Sequence, residues 1–124
     1  MTIEAKFSAA SKLMLLNFAG IVALLIMEVI KAGGDISADI LMPIAILMSI
    51  AALPIIVTAI STATWARWTG IVLTALWALF HGYHIAAEHG PAGDTAETIL
   101  IVFTMLLPSA LAAWVLFTAS KRLG

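Results

Sequence analysis

The chain has 124 residues, of which 63% are apolar and 10% are charged, and its net charge is −1. A soluble domain is about half apolar and about a quarter charged because its surface faces water, so this composition excludes a water-soluble fold. The near-neutral charge gives no indication of nucleic acid as a partner. The absence of cysteine excludes disulfides and thiolate metal sites.

Long uncharged stretches predict helices that cross a lipid bilayer. A helix needs about 20 residues to cross about 30 Å of hydrocarbon. Three stretches without Asp, Glu, Lys or Arg reach that length, namely 40–66, 68–87 and 98–120.

A fourth apolar run, Leu13 to Met27, is shorter. It lengthens if the Lys12 side chain extends from one end towards the headgroups and Glu28 lies in the last turn. We therefore predict an all-α integral membrane protein, a four-transmembrane-helix bundle forming a single domain over residues 1–124. The predicted helices lie near 10–30, 40–61, 68–89 and 98–119.

The distribution of basic residues predicts the orientation, because basic residues near helix ends favour the cytoplasmic side. One side of the four-span topology carries Lys6, Lys12, Arg67, Lys121 and Arg122. We therefore predict a multi-pass protein of the cell (inner) membrane with both termini in the cytoplasm. Trp65 and Trp68 flank Arg67, as expected of aromatic residues at headgroup level.

Short connections separate the predicted helices. Lys31-Ala32-Gly33-Gly34-Asp35 is expected to end the first helix by the glycine rule, and Gly90-Pro91 is expected to end the third. Asp94 or Thr95 is expected to cap the fourth helix, with Glu97 placed to complete a capping box.

The two halves of the chain show a weak similarity. Gly20-Ile21-Val22 corresponds to Gly70-Ile71-Val72, and Leu53-Pro54 corresponds to Leu107-Pro108. These matches suggest the hypothesis of two repeated helical hairpins related by an axis along the membrane normal. Pro54 and Pro108 each remove a backbone hydrogen bond from the middle of a helix and are expected to kink it.

The third helix has three distinct faces at about 100° per residue. Small residues at four-residue spacing predict close helix packing, at Gly70, Thr74, Ala78 and Gly82. An adjacent stripe that should face the bundle interior consists of Trp77, His81, His84 and Glu88. The opposite face is expected to contact lipid and comprises Val72, Leu76, Leu79, Phe80, Tyr83, Ala86 and Ala87.

Ionisable groups within a bilayer usually face the interior, often in pairs. Glu28 lies at a depth similar to that of His81 and His84, and it shares a helix face with Asn17, which we expect to hydrogen bond to another helix. We predict one cluster of Glu28, His81, His84 and Glu88 just below the outer surface, with His89 outside it. The first and third helices must then be neighbours, with their polar stripes facing one another across the bundle.

Two histidines at positions i and i+3, with a carboxylate four residues further on, could share a divalent transition metal. The predicted ligands are His81, His84 and Glu88, with Glu28 as a fourth for tetrahedral coordination. In the alternative interpretation, these groups only line a hydrated outer vestibule. Haem is a more distant alternative, because His81 and His84 project from one side of one helix and a partner would have to supply the opposite ligand.

Two classes of function remain compatible with this sequence. The first is an accessory or assembly subunit, present as a homo-oligomer or within a larger membrane complex, whose polar cluster contacts a partner. The second is a small transporter or binding protein for a metal ion or protons. No nucleophile-and-base pair at motif spacing and no phosphate-binding loop is seen, so the sequence does not indicate an enzyme.

Overall fold

The computed structural model describes residues 2–31, 33–34, 38–88 and 95–119; for Lys31, Ala38, Ile40, Glu88 and Thr95 it describes the backbone alone. Four apolar helical segments are each long enough to cross a membrane. The first three spans are α1 (Ile3–Lys31), α2 (Ala38–Ile60) and α3 (Thr64–Glu88). The fourth span consists of α4 (Thr95–Ile101), a π-helical segment (Val102–Leu106) and α5 (Leu107–Ala119). The predicted all-α four-helix architecture is confirmed.

The first span begins at Ile3 rather than near residue 10. The Thr2 hydroxyl accepts a hydrogen bond from the Ala5 N–H at 3.1 Å, which caps the new first turn. Phe7 and Ala10 are buried in these added turns. Hydropathy did not predict these first turns, because the charges of Lys6 and Lys12 lower the mean hydropathy of this part of the helix.

The predicted glycine stop at the end of α1 is confirmed. The Gly33 N–H donates to the Ile30 carbonyl at 3.0 Å, and the Gly34 N–H donates to the Val29 carbonyl at 2.9 Å. Both glycines have positive φ, 81° and 79°, which side chains disfavour. The expected end of the third helix at Gly90-Pro91 lies outside the described residues. The expected cap of the fourth helix also lies outside them for Asp94, and for Thr95 only the backbone is described.

The four spans form a ring in which α1 and α3 occupy opposite corners. The α1 helix packs mainly on α2 and α5, and α3 packs mainly on α5 and less on α2, whereas α1 and α3 share few backbone contacts. The expectation that the first and third helices are neighbours was therefore wrong, because α2 and the fourth span separate them around the ring. Their polar faces nevertheless meet across the interior, as expected, through the side chains of Asn17 and His81.

The two ends of the bundle are named here by the chain segments that lie at each. We call the end with Ile3, residues 61–63 and Ala119 the terminal end. We call the opposite end, where α1 and α3 finish, the distal end.

The closest approach between spans lies at Gly20 on α1. A Cβ placed there would contact the Thr104 hydroxyl oxygen, lie 2.9 Å from the Thr104 Cβ and lie 3.1 Å from the Met105 Cγ. Only a residue without a side chain allows the backbone of α1 to approach the π-helical segment this closely.

The predicted small-residue stripe on α3 has a packed half and an open half. A Cβ at Gly70 would lie 2.9 Å from a Leu116 methyl carbon and 3.3 Å from a Thr58 methyl carbon. Thr74 is fully buried, and its hydroxyl donates to the Gly70 carbonyl at 2.8 Å. Ala78 is half-buried, and a Cβ at Gly82 would have no neighbour within 4 Å.

The two prolines predicted to kink helices differ in their local structure. Pro54 is buried within α2, where the helix assignment is continuous. Pro108 lies two residues after the end of the π-helical segment, and the Leu107 N–H between them donates to the Val102 carbonyl five residues earlier. A proline ring clashes with the carbonyl four residues before it, and the wider π turn places that carbonyl differently. The helix thus accommodates Pro108 by a change of hydrogen-bond register.

Candidate functional site

A cavity of about 560 Å³ lies among the four spans towards the distal end. Its volume is typical of small-molecule sites, which span about 300–1,000 Å³. Most of its wall is aliphatic or aromatic, but four ionisable side chains also line it. These are Glu28 from α1, His81 and His84 from α3, and Glu97 from α4. We call this space the distal cavity.

Three of the four residues predicted to cluster therefore line one cavity. Glu28 is exposed, His84 is half-buried and His81 is only 3% exposed. Glu88 ends α3, but its side chain and all of His89 lie outside the described part of the chain. The imidazoles face inward because the other side of α3 faces lipid. All seven side chains predicted for the lipid face of α3 are exposed.

The hydrogen-bond partner of the His81 Nε2 is Asn17, the residue expected to hydrogen bond to another helix. The His81 Nε2 and the Asn17 Oδ1 lie 2.7 Å apart in the buried interior, and this bond joins the diagonal helices α1 and α3. The Ser109 hydroxyl from α5 donates to the same Asn17 oxygen at 3.5 Å. An amide oxygen only accepts, so Nε2 carries the proton, and Nδ1 of the neutral ring is an acceptor.

Aromatic rings fix the orientation of both imidazoles. The Trp77 ring stacks on His81 with centroids 5.3 Å apart and an interplanar angle of 26°. The Phe80 ring stacks on His84 at 6.3 Å and 16°. These contacts hold the histidines beside an aromatic wall of the cavity.

The predicted metal site finds no support in the described residues. Within that part of the chain, no three His, Asp or Glu side chains are close enough together to hold a metal ion. Glu28, His81 and His84 thus share a cavity without forming a ligand set. Nε2 of His81 is already engaged by Asn17, which leaves that imidazole a single nitrogen for other contacts.

Glu97 belongs to the cavity, and sequence reasoning had assigned it only to a capping box. Its side chain is 4% exposed and lines the cavity wall. Ile101 and Met105 follow on the same buried face of the fourth span, at spacings of four residues. This four-residue spacing of apolar residues after Glu97 is present in the sequence and would have predicted that Glu97 faces the bundle interior.

An apolar groove lies next to the distal cavity, on the side of α2 and α3. It has a volume of about 240 Å³ and lies between α2 and α3, and we call it the α2–α3 groove. Leu47, Trp77 and Phe80 line both the groove and the cavity. Ile50, Leu73 and Leu76 line the groove but not the cavity, and all three are at least partly exposed.

The groove lies where the ring of helices is least tightly closed. The pairing of α2 with α3 is the least extensive between spans adjacent in the ring. If the two hairpins were equivalent, this pair would correspond to the fourth span and α1, which pack closely at Gly20. The bundle is therefore closed on one side and more open on the other.

Comparison with protein-family models, with curated proteins and with solved structures finds no match to this chain.

Proposed function

We propose that this small membrane protein binds an amphipathic organic cation, with the head of the ligand in the distal cavity and its tail in the α2–α3 groove. The observation that carries the proposal is the shared lining of a polar cavity and an apolar groove by Leu47, Trp77 and Phe80. One molecule with a polar head and an apolar tail would fill both spaces.

The chemistry of the cavity wall favours a head that is positively charged or donates hydrogen bonds. The Glu28 carboxylate accepts only, and Nδ1 of neutral His81 accepts as well. Phe80, which is half-exposed, presents an aromatic ring that attracts cations. An alkylammonium head has the matching charge, and an anionic head would be repelled by Glu28.

Neutralising Glu28 tests recognition of the head. We expect Glu28→Gln to weaken binding of decyltrimethylammonium about tenfold, equivalent to about 1.4 kcal/mol, as measured by Trp77 fluorescence in nanodiscs with the other tryptophans replaced by phenylalanine. The matched control is Glu4→Gln, which removes the same charge from an exposed position at the other end of α1. Equal affinity in the two variants, or no saturable binding, would contradict the proposal.

Filling the groove tests the position of the tail. Ile50→Trp places a large ring in the α2–α3 groove and is expected to weaken binding of decyltrimethylammonium about fivefold. It should leave tetramethylammonium unaffected, because that probe has no tail. Ile44→Trp on the same helix fills a different groove, between α1 and α2, and serves as the control. If Ile44→Trp weakens binding as much as Ile50→Trp does, the assignment of the tail to the α2–α3 groove is incorrect.

An accessory or assembly subunit is the second candidate, favoured by the open space beside Gly82. That glycine lies on the distal half of α3, and nothing in the described chain lies within 4 Å of a Cβ placed there. Another helix could approach closely at this point. The mass of the protein in nanodiscs tests this candidate, since a monomer at working concentration would speak against a homo-oligomer.

The orientation proposed from the basic residues places the terminal end, and with it both termini, in the cytoplasm. The distal cavity would then open at the outer half of the inner membrane. Single cysteines at Thr62 and Asp35 test this orientation cleanly because the chain has none of its own. We expect a membrane-impermeant maleimide on intact cells to label Asp35→Cys but not Thr62→Cys, and the reverse pattern would overturn the orientation.

A further inference from the structure

The terminal end contains a buried arginine, and two of its three side-chain nitrogens have no acceptor in the described chain. Arg67 is only 5% exposed. Its Nε and Nη1 atoms are buried, and no described residue provides a hydrogen-bond acceptor for either. Arginine is charged at every physiological pH, so it cannot escape this environment by losing a proton. A buried charge without a counter-ion is strongly unfavourable, which indicates that an anion completes the site.

The position of Arg67 in α3 identifies where that anion would lie. Arg67 is in the first turns of a 25-residue helix that begins at Thr64, and side chains in a helix lean towards its N-terminus. The base of the Arg67 side chain therefore lies near the first turn, where N–H groups have no acceptor within the helix. Aligned peptide dipoles make that end of the helix partially positive. Guanidinium and helix N-terminus together form a phosphate-binding arrangement.

The surroundings of Arg67 place the site at headgroup depth. Trp65 and Trp68 are 53% and 51% exposed on either side of it, as is typical of tryptophan at the boundary between hydrocarbon and headgroups. Lys6 and Lys12 add positive charge at the same end of the bundle. An anion at this depth meets cationic side chains and lies within reach of lipid phosphates.

We propose that Arg67 and the N-terminal turn of α3 bind the phosphate of an anionic phospholipid at the terminal end of the bundle. The Trp68 ring covers one face of the guanidinium, with the Arg67 Cζ 4.5 Å from the ring centroid. Because Nε and Nη1 are buried, the phosphate reaches them only when the half-exposed Trp68 ring moves towards the lipid. The site is separate from the distal cavity and does not depend on the proposed function.

Lipid retention in native mass spectrometry tests the site. The full chain is released from nanodiscs that contain phosphatidylglycerol, or diacylglycerol with the same acyl chains, and a third sample receives inorganic phosphate alone. We expect one phosphatidylglycerol to remain bound to the wild type and diacylglycerol to be lost, since only the former carries a phosphate. Arg67→Gln should reduce the retained phosphatidylglycerol about tenfold.

Matched variants separate the proposed contact from loss of charge and from misfolding. Lys12→Gln removes one positive charge from an exposed position at the same end and should change retention less than twofold. Arg67→Lys keeps the charge without the planar fork and should give intermediate retention. A protein with Trp68 as its sole tryptophan should shift its emission when phosphatidylglycerol replaces phosphatidylcholine.

Three outcomes would overturn the proposal. The first is equal retention of phosphatidylglycerol by Arg67→Gln and the wild type. The second is equal losses in Arg67→Gln and Lys12→Gln, which would indicate general electrostatic attraction to the membrane. The third is binding of inorganic phosphate with no preference for the phospholipid, which would indicate a site for free anions.

Discussion

Replacing Gly20 by alanine is expected to destabilise the folded bundle by about 1–3 kcal/mol, the usual range for an overpacked interior. The new methyl group would lie 2.9 Å from the Thr104 Cβ. That carbon is attached directly to the backbone and cannot rotate away, so α1 and the fourth span must move apart. Unfolding in mixed micelles of dodecyl maltoside and dodecyl sulfate, followed by tryptophan fluorescence, measures the change.

Gly82→Ala is the matched control, because it makes the same chemical change on α3 where the structure offers open space. Alanine is favoured over glycine inside a helix by about 0.5–1 kcal/mol, so this variant should be unchanged or slightly more stable. Thr104→Gly should relieve the clash and recover part of the stability of Gly20→Ala. A Gly20→Ala protein as stable as Gly82→Ala would show that the two spans are not in close contact there.

Replacing Asn17 by leucine is expected to cost about 2 kcal/mol. The substitution removes the acceptor at 2.7 Å from the His81 Nε2 and leaves a buried polar N–H unsatisfied, which costs about 1–3 kcal/mol. In membrane proteins, hydrogen bonds between helices average about 0.6 kcal/mol and reach about 1.7, and the near-complete burial of both residues favours the upper end here.

A double-mutant cycle with His81→Leu isolates the interaction. We expect the double variant to be more stable than the sum of the single changes predicts, by about 1 kcal/mol, because neither an unpaired imidazole nor an unpaired amide remains. Ser49→Ala serves as the control, because the Ser49 hydroxyl donates to the Ala45 carbonyl within α2, on an exposed face. Its free energy of unfolding should change by no more than about 0.5 kcal/mol. Strict additivity of the two leucine substitutions would mean that Asn17 and His81 do not interact.

The properties of each helix taken alone were largely predictable from the sequence. The number of spans followed from the uncharged stretches, and the division of α3 into an interior and a lipid face followed from its periodicity. Tyr83 at 72% exposure and His81 at 3% lie two residues apart and on opposite sides, as the 100° rotation requires. These predictions need only local geometry, which the residue order specifies directly.

The arrangement of the helices relative to one another was not predictable in the same way. Hydrophobic periodicity gives the inward face of each helix but not which helix it meets, so the sequence indicated that Asn17 bonds to another helix but not that its partner is His81. Glu97 was assigned to a capping box because its spacing from the predicted helix start fits that motif. The same side chain can also face the bundle interior, and the local motif does not distinguish the two positions. Arg67 was expected in the connection between the second and third helices. The residues before it did not indicate that the third helix begins at Thr64 rather than near residue 68.

The π-helical segment Val102–Leu106 has a consequence for how the fourth span could change over evolutionary time. A π turn contains one residue more than the α turn it replaces, so deletion of the exposed Phe103 would restore a regular helix. The π turn already absorbs that extra residue, so its loss would leave the two flanking parts of the fourth span in nearly the same rotation about the helix axis. Glu97 would still face the distal cavity, and Leu116 would still pack against Gly70 on α3. A single codon gained or lost at this point thus changes the number of residues in the fourth span without turning its buried face away from the bundle.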